Sequence, residues 1–306
     1  MIARMKTAII FPAYNAATTL SLLLDTIREQ TIQPDYILAI ETSSTDATVD
    51  ILKSYNVSYY TIKADDFNHG TTRKYATSLI DADIYIFLTQ DVSFVDENAL
   101  HNILSVFCDS KVGCAYGRQL PNKNADVLAR HLRSFVYPEA SIIKTYEDRK
   151  CLGIWTCSNS DNFAAYRKEA LFAVGGMPEN ILFGEDMYVA AKMLMQGWKI
   201  VYCANAMIYH SHNYTLSQEF KRHFDAGVFH AMNPWIFKNF PGRIGDGIAY
   251  LKSVFLYCIK CKEYLVLPRV LGSVFIECFG FFVGRYYKLV PSPIRKKISM
   301  CSCFWQ

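Results

Sequence analysis

Apolar and polar positions along the first ninety residues follow a strand–loop–helix rhythm. The run Ala8-Ile9-Ile10-Phe11 is strand-length and continuously apolar, which predicts a strand buried on both faces. Residues 17–27 then place Leu20, Leu23, Leu24 and Ile27 on one side of a helix. The unit recurs, with a strand over 35–40, a polar turn over 41–46, a helix near 47–55 and a strand over 57–62. A helix over 71–79 and a fourth strand, Ile84-Tyr85-Ile86-Phe87-Leu88, follow. Further on, 198–202 and 207–209 read as extended chain. Alternating strands and helices joined by short loops predict an α/β domain with a Rossmann-like, mostly parallel sheet flanked by helices. We assign it residues 1–241, and 242–306 to a basic, amphipathic helical tail. Ligands of such sheets sit beyond the carboxyl ends of the strands, which directs attention to loops 12–15, 41–46, 65–70 and 89–92.

Composition narrows the class. A chain of 306 residues with 51% apolar and 20% charged positions can bury a large core, which excludes disorder. The net charge of +4 is unevenly spread: from residue 243 onward ten Lys/Arg face three Asp/Glu, while the first 242 residues hold 22 against 25. The basic residues are not interleaved with an aromatic platform, so nucleic acid is not expected as a partner. The ten cysteines are scattered among apolar neighbours; only Cys258 and Cys261 have a C-x-x-C spacing, and free thiols in a reducing compartment are the expectation. Residues 7–24 carry no charge, but Pro12, Tyr14, Asn15, Thr18 and Thr19 divide them into strand, loop and helix rather than a leader or a membrane span.

Each loop to be inspected is polar. Neither G-x-G-x-x-G nor G-x-x-x-x-G-K-[ST] is present, which removes the usual dinucleotide and P-loop fingerprints. What remains is Glu41 after the second strand, Arg73 at the start of a helix and Asp91 after the fourth strand. A carboxylate that accepts from a base or ribose, an arginine that pairs with a diphosphate and a carboxylate that holds a divalent ion describe a nucleotide-diphosphate site. Solvated turn acids are the alternative.

Phe11-Pro12-Ala13-Tyr14-Asn15, Glu41-Thr42-Ser43-Ser44-Thr45-Asp46 and Phe87-Leu88-Thr89-Gln90-Asp91 resemble the nucleotide-binding segments of inverting family-2 glycosyltransferases of the GT-A fold. Gly175-Gly176-Met177-Pro178-Glu179 and Phe183-Gly184-Glu185-Asp186 resemble that family's acceptor-side loop and Glu-Asp motif. Asn68-His69-Gly70, Thr89-Gln90-Asp91 and the segments 209–214 and 220–225 resemble the bacterial rhamnosyltransferase branch. Two departures stand out: Thr89 replaces the first acid of Asp-x-Asp, and Glu41 stands where Asp is common.

The resemblance implies roles for individual residues. Asp186 would be the base and Glu185 would orient the base or the acceptor. Pro12, Ala13, Tyr14, Glu41, Asn68, His69, Arg73, Gln90 and Asp91 would bind the nucleotide sugar. Trp155, Ser158 and Asn159, with Asp161 close by, would face the acceptor. Asp91 and His210 would hold Mg2+ or Mn2+, with His212 on the same face of the chain; a hydrogen-bonded structural pair is the alternative for the histidines. The donor implied is dTDP-L-rhamnose and the acceptor a lipid-linked saccharide of O-antigen or capsule type, used at the inner face of the bacterial cell membrane. Another nucleotide sugar, or a non-catalytic sugar-nucleotide scaffold, are the alternatives. In the tail, Arg269, Pro268, Glu277 and Arg285 interrupt the apolar runs, so we expect peripheral attachment and no membrane-spanning helix; packing on the domain or a homodimer contact is the other reading.

Overall fold

The computed structural model describes residues 5–305. Its strands are β1 Thr7–Ala13, β2 Tyr36–Glu41, β3 Ser58–Thr61, β4 Ile84–Leu88, β5 Ser93–Phe94, β6 Val112–Leu120, β7 Ile142–Lys144, β8 Phe163–Arg167 and β9 Lys199–Tyr209. They form one sheet in the order β3-β2-β1-β4-β8-β6-β9-β5, with β7 on β9. The first four strands are parallel, as the continuous apolar runs predict. β8 runs antiparallel to both β4 and β6, so the sheet is mixed beyond β4.

The helices of the catalytic part are α1 Leu20–Arg28, α2 Thr48–Ser54, α3 His69–Leu79, α4 Ala99–Ser105, α5 Val127–Val136, α6 Arg149–Leu152, α7 Lys168–Ala173, α8 Glu185–Met195, α9 Leu216–Met232 and α10 Pro234–Asn239. The tail supplies α11 Ile244–Lys260, α12 Leu267–Arg285 and α13 Ser292–Ile298. On one face of the sheet Ile9, Phe11, Ile86 and Phe163 pack against Leu20, Leu23 and Leu24 of α1 and Ile103 of α4. On the other, Ile10, Phe87, Tyr166 and Tyr202 meet Ala76 of α3, Val189 and Met193 of α8 and Phe229 of α9.

Three boundaries differ from the hydrophobic pattern, the first two because a side chain claims a backbone group. α1 begins at Leu20 rather than 17, since the Ala16 and Ala17 amides donate to Thr48 Oγ1 and Asp46 Oδ2 at 2.7 and 3.0 Å. α3 begins two residues early because Asn68 caps it, its Oδ1 accepting from the Thr71 amide at 3.1 Å. The two extended stretches near 200 and 208 are one strand: β9 continues through an irregularity where β6 shifts register between Gly117 and Arg118.

The tail packs on α9 through glycine. A Cβ at Gly284 would lie 2.1 Å from the Phe224 carbonyl oxygen, one at Gly280 2.6 Å from that of Phe220, and one at Gly227 2.2 Å from that of Phe281. These contacts bring the α9 and α12 backbones together, while Leu271, Phe275 and Phe282 remain exposed on the opposite side of α12 and the half-exposed Phe279 packs at the edge against Phe220. The chain end folds back on the same helix, where Trp305 joins Phe224 and Val228 and the Met300 amide donates to Asp225 at 2.8 Å.

One expectation requires revision. The segment Tyr264–Arg285 is long and apolar enough, by length and composition, to cross a membrane, because Pro268 falls in the first turn of α12 and does not break it. Here α12 lies along α9, which carries Glu219, Lys221, Arg222, His223 and Asp225 and is docked on the catalytic core. An α12 that crossed a bilayer in this arrangement would draw that charged helix with it.

Gly284→Ala is expected to destabilise the protein by about 1–3 kcal/mol, the usual penalty for overpacking. Thermal unfolding, with limited proteolysis of the α11–α13 region, checks it; an unchanged melting temperature would contradict the close packing.

Candidate active site

Three carboxylates and one guanidinium meet where α3 and α8 converge on the end of β8. Arg73, in the second turn of α3, is almost wholly buried. Its Nη1 donates to Glu185 Oε1 at 2.7 Å and its Nε lies 3.3 Å from Asp161 Oδ2. Tyr166 donates its hydroxyl to Asp161 Oδ1 at 2.5 Å. Asp186 follows Glu185 in the first turn of α8, where its Oδ1 takes the Met187 amide at 2.7 Å and its Oδ2 the Asp161 amide at 3.4 Å. Gly184, with φ +75°, turns the chain into α8, and a Cβ there would lie 3.1 Å from the Phe229 ring; the position suits only glycine.

The electrostatics follow from crowding. Burial, then the Glu185 and Asp161 charges, hold the Asp186 carboxyl well above the usual range. Burial pushes Asp161 up to about 6, against the pull of Arg73. For Arg73 burial lowers proton affinity, but Asp161 and Glu185 more than offset it, and the guanidinium stays charged. Asp186 lines the main cavity and is a carboxylate placed and tuned to accept a proton.

The expected pairing of Arg73 with a diphosphate is therefore revised. Its charge is taken up by two carboxylates, and burying it without them would be unfavourable. Asn68 is likewise structural: besides capping α3 it donates from Nδ2 to the Ile181 carbonyl at 2.6 Å. The turn Asn68-His69-Gly70 needs no positive φ. Gly70 is required because a Cβ would lie 2.0 Å from the Pro178 carbonyl oxygen.

Across the cavity, Asp91 Oδ2 lies 3.4 Å from His210 Nε2 and 3.6 Å from His212 Nε2. The imidazoles meet edge to face, 4.7 Å between centroids. One ligand atom from each of the three side chains falls within 4.8 Å of the others, so both histidines share the candidate metal site, and His212 belongs to it as fully as His210. Burial opposes ionisation of Asp91, but hydrogen bonding and charge from His210 prevail and hold its carboxyl far below the usual range. Burial and the His210 charge push His212 down to about 4, leaving a neutral imidazole. His210 Nδ1 lies 3.0 Å from Gln119 Oε1; the tautomer that donates there leaves Nε2 as a ligand. A carboxylate with two imidazole nitrogens suits Mn2+ and similar ions.

A second, mostly apolar slot adjoins this site. It is lined by Pro12, Tyr14, Thr42, Ala64, Phe67, His69, Thr89 and Gln90, at the carboxyl ends of β1, β2 and β4. Gln90 fixes its wall, accepting from the Tyr14 amide at 2.7 Å and donating to the Tyr14 carbonyl at 3.0 Å. Ala13 and Glu41 lie behind the slot rather than in it. Ala13 is buried in register with Glu41, and Glu41, despite the cost of burial, is held below its ordinary pKa by the Ser44 amide at 2.5 Å.

The acceptor-side residues divide. Asn159 lines the cavity and donates to the Tyr166 hydroxyl at 2.6 Å. Trp155 and Ser158 do not line it. Their carbonyls accept from the buried Lys144 ammonium at 3.3 and 2.7 Å, and the Trp155 indole donates to Asp246 of α11 at 3.0 Å. Trp155 thus ties the tail to the domain. Sequence reasoning assigned no site role to Arg133 or Arg222, which line the cavity; segment 220–225 carried the family resemblance, but nothing in it singled out Arg222.

Residues 8–174 match the family described as Glycosyl transferase family 2. This chain belongs to that family. The glycosyltransferase is 41% identical over 303 residues to the O-antigen chain rhamnosyltransferase RfbN of Salmonella typhimurium, spanning 98% of this chain and 96% of the relative. It is 42% identical over 299 residues to WbaN of Salmonella anatum, also an O-antigen chain rhamnosyltransferase, spanning 97% and 95%. Among solved structures, the mannosyltransferase PcManGT of Pyrobaculum calidifontis, in complex with GDP-Man and Mn2+, superposes with TM-score 0.65 at 14% identity, over 94% of this chain and 88% of that one. TarS 1–349 of S. aureus in complex with UDP does so with TM-score 0.53 at 14% identity, over 93% and 91%. The enzyme thus has the GT-A fold with a C-terminal helical region.

Arg73→Gln removes the cation paired with Glu185 and Asp161, so ionised Asp186 loses one of the groups that favour it and its pKa rises further. The acid limb of kcat/KM against pH is expected to move up by about one unit or more, with loss of roughly 3–5 kcal/mol of stability. A profile superposable on wild type, measured on folded protein, would contradict the coupling.

Proposed function

We propose that this glycosyltransferase transfers L-rhamnose from dTDP-L-rhamnose to a lipid-linked saccharide in O-antigen synthesis, at the cytoplasmic face of the membrane and with inversion at the anomeric carbon. The observation that carries the reading is the convergence of an apolar slot, the Asp91–His210–His212 group and Asp186 on one cavity. The names of two relatives alike over nearly the whole chain support rhamnose as the sugar.

In this reading the thymine lies in the slot between Pro12, Tyr14 and Phe67, held by shape more than by hydrogen bonds. Asp91, His210 and His212 would hold Mg2+ or Mn2+, which supplies charge to offset that developing on the diphosphate. Asp186 takes the proton from the acceptor hydroxyl as its oxygen bonds to the anomeric carbon and the bond from that carbon to the diphosphate oxygen breaks, releasing dTDP. The Met187 and Asp161 amides hold the Asp186 carboxylate in place, and the Arg73 pairs with Glu185 and Asp161 fix the groups behind it. Thr89 contributes no carboxylate, so the two imidazoles make up the protein's ligand set.

The tail supports attachment to the membrane surface. The exposed apolar face of α12 and the exposed Lys296 and Lys297 of α13 suit an anionic bilayer interface, each basic residue adding about 1 kcal/mol near the surface. Arg295 is spent within the fold, its Nε donating to the Val290 carbonyl at 2.6 Å.

Asp186→Asn keeps the shape of the side chain but not its basicity. Transfer is expected to fall by roughly 10²–10⁴ while dTDP affinity stays within about twofold, measured by radiolabel transfer and by equilibrium dialysis. Wild-type turnover would remove Asp186 as the base. Lys296→Gln with Lys297→Gln is expected to weaken sedimentation with phosphatidylglycerol vesicles, and added salt should weaken the wild type in the same way. Equal binding by both proteins would exclude the cluster as an anchor, and binding by neither would favour a second copy of the chain on this face.

A further inference from the structure

The cavity does not end at Asp186. It continues between α5, α9 and the tail helices α11 and α12, about 480 Å³ in all. Leu128 of α5, Val254 of α11 and Val270 and Val274 of α12 give this far part an apolar wall. Between that wall and Asp91 stand Arg133 and Arg222.

Neither arginine has a carboxylate within ion-pair distance among the described residues. Arg133 donates from Nε to the His210 carbonyl at 2.8 Å, and its guanidinium lies 5.8 Å from the Tyr137 ring centroid. The Arg222 guanidinium lies 5.8 Å from the centroid of Tyr214, whose ring packs on His212. Arg269, which also lines the cavity, is by contrast paired with Asp126 at 3.0 Å. Two guanidinium groups in one cavity repel: burial, and the Arg222 charge among its neighbours, lower the proton affinity of Arg133. Glu219 and Glu277 also line the cavity and feel the Arg222 charge, but neither comes within ion-pair distance of it. Burial and the Glu219 charge push Glu277 up to about 7, and burial raises Glu219, each against the pull of Arg222. A planar fork left unpaired beside a metal-binding group is suited to phosphate oxygens.

We propose that Arg133 and Arg222 hold the diphosphate of an acceptor carried on an apolar chain, with the chain leaving along Leu128, Val254, Val270 and Val274. The proposal rests on the transferase reading above and names the head group of its acceptor. The nucleotide's own diphosphate is the other source of the same chemistry, but it extends from the Pro12–Tyr14 slot to Asp91. The arginines stand on the tail side, against apolar walls for which a nucleotide sugar has no use. The tail would thereby form part of the acceptor site as well as a membrane face.

Farnesyl diphosphate and farnesol are suitable probes, measured by equilibrium dialysis on the full chain with dTDP and Mn2+ at saturation. Farnesyl diphosphate should bind beside dTDP, and farnesol at least tenfold more weakly, as loss of charge-assisted bonds implies. Arg222→Gln should reduce farnesyl diphosphate to the level of farnesol and leave dTDP affinity within about twofold. Displacement of the probe by dTDP, an effect of Arg222→Gln on dTDP alone, or no effect on either ligand would each overturn the assignment. Wild-type protein that binds farnesyl diphosphate through Arg222 but fails to bind dTDP would sink the donor reading and leave this site standing. Should Arg222→Gln melt early, Arg222→Lys keeps the charge without the fork, and a smaller loss specific to farnesyl diphosphate is expected.

Discussion

A buried guanidinium joins the two halves of the active site. Arg73 belongs to the parallel half of the domain, following β3, whereas Asp161 and Glu185 flank β8 in the half where the sheet becomes mixed. An unpaired cation at that depth would be strongly unfavourable, so the halves are fixed relative to each other by the requirement that both carboxylates reach it. The same requirement crowds three carboxylates around one positive charge. Burial, and then the Glu185 and Asp161 charges, make Asp186 on the cavity wall hold a proton more tightly than a solvated carboxylate, which suits it to take one up. The architecture that closes the fold therefore also tunes the chemistry.

Much of this was legible in the chain. The uninterrupted apolar runs at 8–11 and 84–88 are β1 and β4, and their loops carry Tyr14, Gln90 and Asp91 to one slot and the neighbouring candidate metal site. Alternation placed His210 and His212 on one face, and both reach Asp91. Reversal of direction at β8 left no mark, because Phe163-Ala164-Ala165-Tyr166 is as apolar as a parallel strand and periodicity carries no direction. Arg73 was assigned to a ligand because a lone arginine at a helix start gives no sign of partners 88 and 112 residues away. Trp155 suited a sugar by its chemistry and instead holds Asp246. Such pairings depend on tertiary contact, which local pattern does not encode.

The tail illustrates how glycine and apolar side chains divide the work on one helix. Gly280 and Gly284 bring α12 against α9, and the phenylalanines opposite are left outward. One face of α12 helps enclose the cavity, and the face away from it is exposed. A single helix thus links an apolar exterior to an interior lined with arginine, the arrangement that the proposed acceptor, with an apolar chain and a charged head, would use.

The central claim is a single displacement in which Asp186 activates the acceptor. It fixes the stereochemistry of the product, because attack opposite the departing diphosphate reverses the configuration at the anomeric carbon. The one-bond coupling between the anomeric carbon and its hydrogen, measured by NMR on the donor and on the purified product, reports each configuration. The account predicts opposite configurations in the two. The same configuration in both would contradict it, and would require a second displacement in which a side chain first takes the sugar as a covalent intermediate.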